Sequence, residues 1–133
     1  MKTQPLLLIV LAAAWLAGCA TAPPAAPPLS GLAELMERPA ERALIDGIRL
    51  YDNGQYPAAE LSLNRALEAG LASARDRATA HKLLAFIACT SAREAQCEAA
   101  FRAARAADPA FELAKAEAGH PMWGPVYRRV TAP

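Results

Sequence analysis

The sequence predicts an all-α domain, and three observations carry that prediction. Alanine is abundant, with Leu, Glu and Arg beside it, and these residues favour helix. No stretch alternates apolar and polar residues as a half-buried strand would. Proline and glycine fall between the apolar runs as punctuation, at Pro39, Gly54, Pro57, Gly70 and Pro109. The segment "AERALIDGIRLYDNG" has helical spacing from just after Pro39, a residue suited to a first turn. "DNG" at 52–54 is a turn signal. "YPAAELSLNRALEAG" is a second helix, with Pro57 tolerated in its first turn and Gly70 as its stop. Residues 40–70 therefore form a helical hairpin.

Within that hairpin the order is Gly47, Gly54, Tyr56, Ala59, Leu63 and Ala66. This order resembles a tetratricopeptide repeat, which places small residues where two helices approach closely and an aromatic just after the turn. The resemblance implies that Gly47 faces Ala59, with Tyr56 and Leu63 filling the space at either end. A second, weaker copy occupies 77–110. Leu84 and Ala85 stand at the family's Leu-Gly pair, and Cys97, Phe101 and Ala104 at its small, bulky and small positions. Pro109 closes the repeat. Ala92 replaces the turn glycine, Glu94 the turn aromatic, and His81 stands where the family prefers Trp. Ala104 follows Ala66 by 38 residues, against a family period of roughly 34. The excess is expected in the "ASARD" connection. The repeats span about 40–73 and 77–110, within a domain covering 32–133.

Two repeats bury too little by themselves, so flanking helices should complete the short α-solenoid. One is expected in "LSGLAELMERP" at 29–39. The other is a C-terminal cap over 111–133, where Trp123, Val126, Tyr127 and Val130 supply apolar surface.

Ahead of the domain, residues 1–18 have the pattern of an export leader, with Lys2 followed by an uncharged apolar run. The run closes on "LAGC", which resembles a bacterial lipobox. That resemblance implies acylation at Cys19, and Ala20 behind it implies outer-membrane sorting. Residues 19–31 are Pro- and Ala-rich and make an extended tether to the periplasmic domain. More than one acyl chain anchors stably. Lys2 is one of the 14 Lys and Arg residues, so the remainder balance the 13 acidic residues. No basic stripe points to nucleic acid.

The sequence offers little for catalysis. His81 and His120 lie in different segments, and no His-x-x-x-His, Cys-x-x-Cys or phosphate-cradling loop is present. No cofactor or metal is expected. Cys89 and Cys97 flank the second hairpin's turn. They are either a disulfide suited to an oxidising compartment or two small buried thiols.

The tetratricopeptide resemblance places Leu44, Ile48, Tyr51, Asp52, Lys82 and Phe86 along a concave groove. Tyr51 and Phe86 would anchor a partner, while Asp52 and Lys82 would orient it. A flanking helix lying over the same stripe is the other reading. The expected function is a non-enzymatic, lipid-anchored interaction module that binds a peptide segment of an envelope assembly, such as a secretion or pilus system. Self-association of a structural lipoprotein is the alternative, and an accessory cell-wall enzyme is less favoured.

Overall fold

A computed structural model describes residues 37–132. The leader, Cys19, the tether and nearly all of the expected 29–39 helix lie outside the described residues. Among those described, the protein is all-α with no strand. Six helices follow in order: α1 (Pro39–Asp52), α2 (Tyr56–Ala69), α3 (Ala74–Thr90), α4 (Glu94–Ala107), α5 (Lys115–Ala118) and α6 (Gly124–Thr131). Helices α1 and α2 form one hairpin, and α3 and α4 a second. The short α5 and α6 complete the domain.

Local chemistry sets these boundaries. Pro39 and Pro57 open α1 and α2, where a missing backbone N–H costs nothing. The Ser73 hydroxyl accepts a hydrogen bond from the Asp76 N–H at 3.2 Å and caps α3. With 17 residues, α3 is longer than the 14-residue α1. The residues expected to lengthen the connection are therefore partly helical: Ala74, Arg75 and Asp76 form the first turn of α3. Arg77 ties that turn down by donating to the carbonyls of Leu71 and Ala72, both at 2.8 Å.

The first hairpin closes on the smallest residue of α1, but its partner differs from expectation. A Cβ at Gly47 would lie 2.8 Å from the Leu63 Cγ and Cδ2 and 3.2 Å from its backbone N. The groups nearest Gly47 thus belong to Leu63 rather than Ala59. The reason is depth: Leu63 is fully buried and needs the space a side chain at 47 would occupy. Ala59 and Ala66 are fully buried beside it on α2. Tyr56 departs further from the expected packing role. It is 43% exposed, and its ring lies 5.5 Å from that of Tyr51.

Both hairpin turns use the same hydrogen bonds. In the first, Gly54 N–H donates to Tyr51 O and Gln55 N–H to Leu50 O, each at 2.9 Å. In the second, Ala92 N–H donates to Cys89 O at 3.3 Å and Arg93 N–H to Ala88 O at 2.9 Å. This is the Schellman closure, which needs a left-handed residue just past the helix. Gly54 supplies it at φ 72° and Ala92 at φ 57°. Cys89 and Cys97 are joined as a disulfide across the second turn, with Cα atoms 5.1 Å apart.

One core runs through the domain, from Leu44 and Leu63 through Phe86 and Phe101 to Trp123 and Val126. Ala85 and Ala104 are fully buried in the second hairpin, whereas Pro109 is exposed in the turn after α4.

Candidate interaction groove

The stripe expected to line a groove is not open along its length. Leu44 and Phe86 are buried, Ile48, Tyr51 and Lys82 are half-buried, and only Asp52 is exposed. Phe86, expected as an anchor of an open groove, is 3% exposed, because the segment after α4 lies across it as in the other reading of the stripe. The Trp123 ring stacks on Phe86 with centroids 4.1 Å apart and planes 21° apart. Lys82, expected to orient a partner, is likewise engaged. Its Nζ donates to Glu117 Oε1 at 2.7 Å and lies 5.7 Å from the Phe86 centroid.

Residues 111–131 act as a strap over the second hairpin. Around Glu117 and Trp123 the strap organises itself. Trp123 Nε1 donates to the Glu117 carbonyl at 2.8 Å, which satisfies the indole N–H in a buried position. Glu117 Oε2 accepts from the Ala114 N–H at 3.0 Å. The His120 ring stacks on Trp123 at 3.4 Å. Farther along, Tyr127 packs edge-on against Phe101 at 5.2 Å and accepts from the Leu113 N–H at 3.3 Å. Arg129 reaches Glu98 at 3.1 Å and also pairs with Glu94 on α4.

An aromatic seam results. It runs from Tyr56 to Tyr51, then to Phe86 at 6.5 Å, and on to Trp123 and His120. Phe101 joins it edge-on to Phe86 at 6.1 Å. Tyr51 marks where the strap's cover ends. Burial is the main cause raising its hydroxyl pKa, with Tyr56, Asp52 and Glu117 adding to it, so this phenol stays neutral well past physiological pH. Beside the Lys82–Glu117 pair opens a polar cleft of about 440 Å³, walled by Arg75, Thr79, Asp108 and Glu112.

The hairpins are also joined by an ion pair that the residue pattern did not suggest. Arg93, in the second turn, grips Glu60 on α2 with both guanidinium nitrogens at 2.8 Å. That fork geometry lowers the Glu60 carboxyl below its ordinary value, the hydrogen bond from Arg93 being the largest cause. The sequence separation of 33 residues gives no periodic signal for such a pair. The Trp123–Phe86 stack is closer to legible, because Trp123 and Tyr127 stand among the apolar residues of the expected C-terminal cap.

His81 is half-buried on α3, and burial lowers its pKa. Among the described residues, no group of His, Cys, Asp or Glu side chains is placed to hold a metal ion. Among the same residues, no helix is long and apolar enough to cross a membrane. Compared with protein-family models, curated proteins and solved structures, the chain matches none.

Proposed function

We propose that this chain is a non-enzymatic interaction module of the bacterial envelope, built on tetratricopeptide-like hairpins. It is held at the outer membrane through acylated Cys19 and docks a peptide segment of a larger assembly, such as a secretion or pilus machine. One observation supports the reading above others. The α3 side of the stripe already accepts a peptide segment, the chain's own strap, through ring stacking and a charge-assisted pair. Beyond the strap, Ile48, Tyr51 and exposed Asp52 continue that face with apolar surface and a negative charge.

The test is a photo-crosslinking residue placed at Tyr51 in intact envelopes. Capture of a single envelope protein there, and not from a matching probe at exposed Arg65 on α2, is the expected result. No position-specific capture would sink the reading. Cys19→Ala should move the protein from the membrane to the soluble fraction, and a variant that stays with membranes would overturn the anchor.

Self-association is a second reading, favoured by Ile45 at 48% and Leu61 at 54% exposure on the first hairpin. A mass that rises with concentration and falls with Leu61→Glu would support it.

A further inference from the structure

We infer that the strap is an in-cis ligand of the groove, so that its contacts specify the partner: a segment with a carboxylate and, six residues later, a tryptophan. This inference rests on the interaction reading above and names the chemistry that the groove would take.

The strap does not hold its shape through its own helices. Helix α5 has four residues and α6 eight. Isolated helices shorter than about 12–15 residues are marginal in water. Docking therefore supplies their order. The docking contacts are side-chain contacts: Glu117 on Lys82, Trp123 on Phe86, Tyr127 on Phe101 and Arg129 on the α4 carboxylates, with Leu113 and Val126 buried in the same core. The two ends of the strap differ in exposure. The Glu117–Lys82 pair is partly buried, while Arg129 is half-exposed, in a setting where ion pairs contribute little.

The Glu117–Trp123 element is also portable. Its indole hydrogen bond, the cap on Ala114 and the His120 stack all lie within the strap. A segment of another protein with the same spacing could carry this geometry with it and need only two receptors, the Phe86 ring and the Lys82 ammonium. Pre-organisation of that kind lowers the cost of binding. The acid selects for Lys82, and the indole both covers Phe86 and returns its N–H to the acid's own carbonyl. A tyrosine or phenylalanine there would lose that internal bond. Because the strap competes in cis, a partner's apparent affinity falls by the fraction of time the strap is docked.

The experiment titrates a fluorescent peptide of residues 111–132 into the native chain and into the Trp123→Ala/Glu117→Gln double variant, read by anisotropy. The opened variant should bind at least tenfold more tightly than the native chain. Peptides carrying Trp123→Ala or Glu117→Lys should lose at least tenfold. A folded variant that ignores the peptide, or binds the Trp123→Ala peptide equally well, overturns the inference. Hydrogen exchange on the native chain supplies a measure free of variant folding. Amides of α6 should open locally and exchange at least tenfold faster than matched amides of α3. Equal protection of α6 and α3 would make the strap inseparable from the core and overturn the inference. In the opened double variant, a Tyr51 crosslink that excess peptide leaves undiminished keeps the interaction module and overturns this inference alone.

Discussion

Gly54 and Ala92 occupy the same place in two turns with the same pair of backbone hydrogen bonds, yet the hairpins around them are secured differently. At Gly54 a left-handed backbone is accessible without penalty. At Ala92 the Cβ opposes that conformation by about 1–2 kcal/mol. The second hairpin alone carries a cross-turn disulfide, from Cys89 to Cys97. Position 56, after the first turn, is an aromatic lying on Tyr51, whereas position 94, after the second, is a carboxylate that receives Arg129 from the strap. The first hairpin relies on backbone compatibility and close packing at Gly47. The second relies on a covalent link, on Arg93 reaching back to Glu60, and on the strap. A turn residue that fits badly can persist where surrounding constraints over-determine it.

The largest expected effect breaks the first hairpin. Gly47→Leu drives a side chain into Leu63 and its backbone, and should cost about 3 kcal/mol or more. Urea denaturation measures it, and an unchanged midpoint would contradict the close approach. Next, replacing Cys89 and Cys97 with Ser should lower stability by about 2 kcal/mol, as expected for a short closed loop. The loss should show first as faster hydrogen exchange in α3 and α4, while α1 and α2 change less. A uniform change in all four helices would contradict the separate accounts of the two hairpins.

A smaller effect sharpens the comparison. Ala92→Gly should stabilise the second hairpin by about 1 kcal/mol, and more visibly without the disulfide. Gly54→Ala should destabilise the first hairpin by a similar amount. If both substitutions shift the thermal midpoint the same way, the two turns do not differ as described.

The smallest effect is electrostatic. With its folded pKa lowered, Glu60 contributes stability above its ordinary value of 4.5, and that contribution is lost as pH falls through the folded value. Glu60→Gln should therefore flatten the stability profile below about pH 5, by under ~1 kcal/mol because both partners are about one-third exposed. His81 has its own window. Burial depresses its pKa, so its contribution is present above 6.5 and declines as pH falls below that. His81→Gln should remove that decline in a stability titration between pH 7 and 5.

How much of this was legible depends on the range of the interaction. Pro39, Pro57 and Gly70 mark helix ends because their effects act within one turn of the chain. The Cys89–Cys97 link was open between two states, since spacing brings the residues near a turn but does not set their Cβ directions. Helical spacing marks an apolar stripe on α1 and α3, but whether that stripe is open or covered is not readable from spacing. Whether Phe86 is an anchor or a core residue depends on Trp123, 37 positions away, and no periodicity couples the two.

Local signals in the chain set the all-α class, the succession of helices in two hairpins and the position of both turns, because helix propensity, apolar spacing and proline or glycine punctuation act within a few residues. Tertiary structure decided that Gly47 makes room for Leu63, that Arg93 grips Glu60, and that a strap covers Phe86 and Lys82. Those outcomes depend on how helices distant in sequence fill one another's gaps and pair one another's charges, and such complementarity exists only once the helices are packed.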